Sequence, residues 1–248
     1  MSYKRINMIY LDETDSTNDY YHRNRSSIVL PACIISGFQT KGKGQGGSIW
    51  HSEKGKNLLF SFVFLPEYLD ASESFYISKI IAISLAEVLG ERLKNIKIKW
   101  PNDIFAGNKK IAGILIENSI SGPHVIRSIA GVGMNLNQIA FPIFSPGPEA
   151  TSMKLELGEL VDKDKILNRI LEKMKYWLGE LNRKAYENIE RNYHERLLNF
   201  STWACYRAGN EEFEACITGV ESNGSLKLKM RNGSTRKFTF KEVSFVNS

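Results

Sequence analysis

Lysines set among glycines are the residues of this chain best suited to hold an anion. In "QTKGKGQGGSIW" (Gln39–Trp50), Lys41 and Lys43 alternate with Gly42, Gly44, Gly46 and Gly47. Glycine lets backbone N–H groups close on a ligand and lysine adds charge, so the run can cradle a phosphate. It is not a P-loop, because no Gly-Lys-Ser/Thr follows at the required spacing. Nor is it the dinucleotide fingerprint, since the next element, "NLLFSFVFL", reads as a strand and not a helix. A hairpin with solvated lysines accounts for the composition equally well.

A second cluster lies in "KWPNDIFAGNKKIAGILIE". Lys99 ends a predicted strand, Pro101 shapes the turn, and Asn102 and Asp103 sit at the strand's carboxyl end, where α/β sheets commonly bind ligands. Lys110 stands at the mouth of the next strand, where an ammonium can neutralise a carboxylate and a phosphate brought together. "DSTN" (Asp15–Asn18) and "GVGMN" (Gly131–Asn135) add hydroxyl, amide and glycine groups. Taken singly, each has a plain structural use: a turn at "PND", an exposed basic pair at Lys109 and Lys110, an N-cap at Ser16 or Thr17, close packing at the glycines.

The elements that must carry these groups follow from periodicity. Met8–Tyr10 reads as a short strand and the segment after Asp15 as a helix. "ACIISGFQT" and Asn57–Leu65 are strands on either side of the glycine loop, with Pro66 as a stop. Apolar residues at three- and four-residue steps predict a long buried helix over Ser74–Leu93. Ile96–Trp100 alternates like a half-exposed strand, "PNDIFAGNKK" reads as a turn, and Ile111–Asn118 and His124–Asn137 as strands. Phe141–Ala150 is an irregular loop. Ile166, Ile170, Met174, Trp177 and Leu181 mark one face of a second helix. From about residue 195 short strands are punctuated by Asn223-Gly224 and Asn232-Gly233, both suited to hairpin turns.

Composition sets the outer bounds. The chain has 248 residues, 42% hydrophobic and 24% charged, with a net charge of +6. That is ordinary for a globular protein with a sizeable core. The run "LLFSFVFL" is too short to span a bilayer, and the first residues do not read as a signal peptide. The cysteines, Cys33, Cys205 and Cys216, are odd in number and lack metal-ligand spacing, which suits free thiols in the cytoplasm.

It is the order of the motifs that is informative. "DSTN", "FQTKGKGQGGSIW", "IKIKWPNDI", "KKIAGILIE" and "GVGMNLN", taken together from about Leu11 to Asn137, resemble the biotin protein ligases. The resemblance implies a mixed α/β fold, with a mixed sheet packed with helices in the manner of class II aminoacyl-tRNA synthetases. A small C-terminal β-barrel would follow, dividing the chain at 1–190 and 191–248. It implies activation of biotin by ATP and magnesium to biotinyl-5′-AMP, then transfer to one lysine of a biotin carboxyl carrier domain.

Residue by residue, the resemblance implies that Ser16, Thr17, Asn18, Gln39, Lys43, Gly44, Gln45, Lys110 and Gly113 bind biotin. Gly42, Gly44, Gly46, Trp50, Lys99, Asn102 and Asn135 would serve the nucleotide, and Asp103 magnesium. Lys110 and Lys43 would be the catalytic cations, and Trp100 a packing wall. The family's loop reads Gly-Arg-Gly-Arg-x-Gly, so Lys43 and Gln45 stand where it has arginines, which removes two bidentate guanidinium groups. Some members carry an N-terminal DNA-binding domain; with motifs starting at Asp15, no DNA partner is expected, and a homodimer stays open. Two alternatives remain: a lipoate ligase of the same fold, or a nucleic-acid-binding module using Lys227, Lys229, Arg231, Arg236, Lys237 and Lys241.

Overall fold

The computed structural model describes residues 5–142 and 148–246. Among the described residues, twelve strands form two sheets, accompanied by five α-helices. The larger sheet has seven strands: β1 Asn7–Leu11, β2 Ala32–Ser36, β3 Leu58–Phe64, β4 Ile96–Lys99, β5 Asp103–Ala106, β6 Lys109–Ser121 and β7 His124–Met134. Its order is β1-β2-β3-β7-β6-β5-β4, with β1 and β2 parallel and the other pairs antiparallel. This is the mixed sheet expected from the motif order.

The two faces of this sheet have different jobs. Phe60, Phe62 and Phe64 of β3, with Ala130 and Val132 of β7, join one core with helix α2 (Phe75–Gly90) and helix α4 (Lys163–Asn182). Each large apolar side chain buried there contributes about 1.5–3 kcal/mol relative to exposure. The alternate residues Val63 and Ile129 pack instead with Ile34 and with Tyr21 of helix α1 (Thr17–Asn24). On this second face, cross-strand partners Ser61 and Gly131, and Gly133 and Gly113, are small. The pleat therefore builds a shallow floor beside α1 where larger residues would fill the space.

α4 begins where the Asp162 side chain accepts hydrogen bonds from the N–H groups of Asp164 and Lys165. Its face of Ile166, Ile170, Met174, Trp177 and Leu181 is buried, as the spacing predicts. Two helices are additional to that pattern: α3 (Met153–Leu157) and α5 (Tyr186–Arg196). α5 is mostly polar and buries only Ile189 and Tyr193, a single i, i+4 pair that gives little periodic signal. The segment "PNDIFAGNKK", expected as one turn, contains β5, because Ile104 and Phe105 are buried and only Gly107 takes a left-handed conformation. The loop expected over Phe141–Ala150 lies, for 143–147, outside the described residues.

The second sheet is antiparallel: β8 Trp203–Ala208, β9 Glu211–Val220, β10 Leu226–Met230, β11 Thr235–Phe238 and β12 Ser244–Phe245, in the order β11-β10-β9-β8-β12. Its outer strands each pair with one neighbour among the described residues, and this sheet stands where the small C-terminal barrel was expected. Gly224 and Gly233 take positive φ at the two predicted turns. Trp100 ties the sheets together by donating Nε1–H to the Gly224 carbonyl at 2.9 Å. The three cysteines are free, and burial pushes the Cys33 thiol up, as suits a structural thiol. No helix among the described residues is long and apolar enough to cross a membrane.

Candidate active site

The "DSTN" motif enters α1. Ser16 is the N-cap residue, yet its side chain makes no capping bond, so the expected N-cap use of the hydroxyl does not hold. Gln39 Oε1 instead accepts the Thr17 N–H at 2.7 Å and lies 3.1 Å from Thr17 Oγ1. Ser61 Oγ lies 2.7 Å from Thr17 Oγ1 and 2.6 Å from Asn18 Oδ1. The buried Asn18 Nδ2 has no partner among the described residues. Asp15 orients the segment from outside: it accepts the Ser16 N–H at 2.7 Å, and its ion pair with Arg23 holds its carboxyl well below the usual range.

The glycine loop closes as a hairpin. Gly44 N–H donates to the Ser48 carbonyl at 2.7 Å, and Trp50 N–H to the Gly42 carbonyl at 2.9 Å, around a 3-10 turn at Gln45–Gly47. Lys43 Nζ forms a 2.6 Å ion pair with Asp19 in the first turn of α1, which pins the loop over the "DSTN" segment. The loop then lays the Trp50 ring on the sheet. A Cβ on Gly133 would fall 2.3 Å from Trp50 Cε2, and one on Gly113 3.0 Å from Trp50 Cζ3. Only glycine at 133 admits the indole there.

Opposite stands the second cluster. Lys110 Nζ is 2.7 Å from Asp103 Oδ1 and 5.6 Å from the centre of the Trp50 ring. Lys99 Nζ lies over the Phe105 and Phe245 rings, and burial lowers its pKa against a rise from Asp103. The Trp100-Pro101 peptide is cis, and the Asn102 side chain donates to the Ile114 carbonyl at 2.8 Å. These groups surround one cavity of about 510 Å³. A site of that size suits a small molecule with an anionic end.

Most of the predicted residues line this cavity, including Ser16, Thr17, Asn18, Gln39, Lys43, Gly44, Gln45, Trp50, Lys99, Asp103 and Lys110. Asn135 does not: it is buried behind the wall and donates Nδ2–H to the Thr151 carbonyl at 3.0 Å. Gly42 and Gly46 shape the loop from outside the lining. Two contributions went unread in the sequence. Ser61 is the polar residue inside the apolar run "LLFSFVF", which was its one signal. The other is the C-terminal sheet, which brings Phe240, Lys241, Val243, Ser244 and Phe245 to the rim.

Half of the six basic residues named in the C-terminal stretch are paired with carboxylates. Arg231 pairs with Glu214 at 3.0 Å, Arg236 with Glu211 at 3.0 Å and Lys237 with Glu221 at 2.6 Å. Charges spent this way weaken the case for a phosphate backbone on that face.

Comparison with known proteins places these observations. Residues 10–135 match the model of the biotin/lipoate A/B protein ligase family. A biotin–[acetyl-CoA-carboxylase] ligase from Paracoccus denitrificans is 28% identical over 225 residues, covering 88% of this chain and 92% of that protein. A bifunctional ligase/repressor from Bacillus spizizenii is 25% identical over 230 residues, covering 91% and 70%. Among solved structures, a biotin protein ligase from Aquifex aeolicus in complex with biotin and ATP superposes with a TM-score of 0.79 at 24% identity, covering 98% and 99%. At that identity the likeness concerns the fold.

Proposed function

The chain belongs to the biotin/lipoate A/B protein ligase family, and from that premise we propose that it is a biotin protein ligase. It would activate biotin with ATP to biotinyl-5′-AMP and pass the biotinyl group to a lysine of a carboxyl carrier domain. The observation that carries this reading is the convergence on one cavity of the "DSTN" hydroxyls, the glycine loop and the Lys110–Asp103 pair. The choice of biotin over lipoate rests on the Paracoccus relative, matched over 92% of its length.

The chemistry asks for positioning and charge more than for a nucleophile. Biotin's carboxylate attacks the α-phosphorus and pyrophosphate leaves; the acceptor amine then attacks the mixed anhydride and AMP leaves. The first step brings like charges together. Lys110 and Lys99 offset that repulsion and stabilise the charge that builds on the phosphorus. Thr17, Asn18 and Gln39 offer short polar groups to the ureido ring, and the Trp50 ring, seated on Gly113 and Gly133, offers a wall to the apolar body. The unpartnered Asn18 Nδ2 is a donor in reserve for that ring.

Among the described residues no three His, Cys, Asp or Glu side chains gather as a metal cage. Asp103 supplies one carboxylate, which fits magnesium carried on the nucleotide's phosphates and not a resident ion. We read the chain as two units, 1–190 and 191–248, with α5 leading from one to the other. The partner this reading calls for is a cytoplasmic carboxyl carrier domain; a DNA partner has no support in the paired C-terminal charges.

The test is pyrophosphate release from ATP and magnesium with biotin, lipoate or no acid. Release with biotin alone is expected. Release with lipoate alone would move the substrate to the other branch of the family, and none with either would sink the ligase reading.

A further inference from the structure

Lys241 sits on the turn between β11 and β12, far in sequence from the glycine loop, yet its Nζ donates to the Gly46 carbonyl at 3.1 Å. It is also the cation of the basic C-terminal stretch that lines the cavity. Its hydrogen-bond partner there is a backbone carbonyl and not a carboxylate, unlike Arg231, Arg236 and Lys237. Its φ is +74°, a left-handed conformation that a glycine would adopt at less cost. A lysine held there against its backbone preference points to a use for the side chain.

The loop tip shows what that use is. Gly46, with φ +67°, leaves the space that the lysine enters: a Cβ would fall 2.5 Å from Lys241 Cε and 3.1 Å from Phe240 Cε1. The tip carries no charge of its own, since Gln45 is neutral and the Lys43 ammonium is engaged by Asp19 at 2.6 Å. Lys241 therefore brings positive charge to a loop tip that has none of its own. An ammonium has three donors, so two remain for phosphate oxygens after the bond to Gly46.

We propose that Lys241 is a positioning residue of the ligase site, a clamp from the C-terminal sheet that holds the glycine loop shut and supplies the loop with a phosphate-binding charge. This rests on the proposed function for the identity of the phosphate, the one in biotinyl-5′-AMP. The clamp acts on retention: with it released, the loop opens more often and the mixed anhydride escapes before an acceptor arrives.

The experiment loads the full-length protein with biotin, ATP and magnesium, removes free nucleotide and follows the loss of bound biotinyl-5′-AMP. In Lys241→Gly and Lys241→Met the half-life of the bound intermediate falls at least about tenfold, the low end expected for one charged hydrogen bond. Lys241→Arg stays within about twofold of wild type. Because glycine relieves the positive φ, Lys241→Gly holds or raises the melting temperature, so a shorter half-life in that variant does not come from a weakened fold. An unchanged half-life in Lys241→Gly and Lys241→Met overturns the clamp and leaves the ligase reading standing. A second arm needs no turnover: trypsin cleavage after Lys41 and Lys43 in ligand-free protein. Faster cleavage in Lys241→Met supports the clamp and equal cleavage overturns it, even if wild type forms no intermediate and the ligase reading fails.

Discussion

Lys110 Nζ lies 2.7 Å from Asp103 Oδ1, across neighbouring strands β6 and β5 whose register shifts between Ile104 and Phe105. A shift of this kind re-aims side chains. Here it leaves both residues facing one cavity, each about a quarter exposed (26% and 21%). A half-buried ammonium without a partner is costly, so the pair keeps a cation in the cavity at little expense in stability. An incoming carboxylate and phosphate can take over the ammonium.

The first expectation concerns that lysine. Lys110→Ala lowers the rate of adenylate formation by about 10²–10³-fold, the usual cost of removing one group aimed at developing charge. The circular dichroism spectrum stays that of wild type. A near-normal rate of biotin-dependent pyrophosphate release in the folded variant would take Lys110 out of the mechanism.

Ser61 leads to a second expectation. Its hydroxyl is fully buried and reaches both Thr17 and Asn18, so Ser61→Ala strands polar atoms that water cannot reach. The stability cost is about 1–3 kcal/mol. The KM for biotin rises while kcat changes little, as the proposed placing of Thr17 and Asn18 at the ureido ring requires. Isothermal titration with biotin and urea unfolding would check the two halves separately; unchanged affinity would leave Ser61 a core serine only.

The sequence made the motifs legible because each is contiguous: "DSTN", the glycine loop, "KWPND" and "GVGMN" read as units, and the apolar strands between them set their order. What was not legible depends on distant partners. Asn135 looks like a ligand group, but it lies behind the cavity wall with its Nδ2–H donated to the Thr151 carbonyl, sixteen residues away. Ser61 looks like an interruption in a strand until α1 is packed on it. β5 is only four residues long and sits among turn formers, so propensity argued against it. Lys241 reads as one more basic residue until the two sheets are brought together.

A third expectation follows from Lys79, a lysine inside the apolar helix α2 that is fully buried. Its Nζ lies 2.5 Å from Glu190 Oε1 on α5 and donates to the Val220 carbonyl on β9 at 2.7 Å. Burial lowers its pKa, and Glu190 opposes that shift. Glu190→Ala leaves a buried charge with no counterion and costs about 3–5 kcal/mol, whereas Lys79→Met removes the charge itself and costs less. Denaturant unfolding of both variants checks the order; Lys79→Met as the more damaging would mean that the lysine holds α2 to the C-terminal sheet chiefly through Val220.

His194 completes that cluster and sets a pH dependence. Its ring stacks on Phe200 at 4.6 Å, and Nε2 lies 3.4 Å from Glu190 Oε2. Burial lowers its pKa below 6.5, with Glu190 raising it and Lys79 lowering it again. The unfolded chain therefore binds the proton first as pH falls. The stability tied to neutral His194 is fully present above pH 6.5 and is lost as pH drops toward the folded pKa. The melting temperature of wild type declines across that interval, and His194→Gln flattens the decline while keeping an uncharged polar group beside Glu190. If both proteins lose stability in parallel between pH 7 and 5, the acid sensitivity lies in the carboxylates, and His194 takes no part in it.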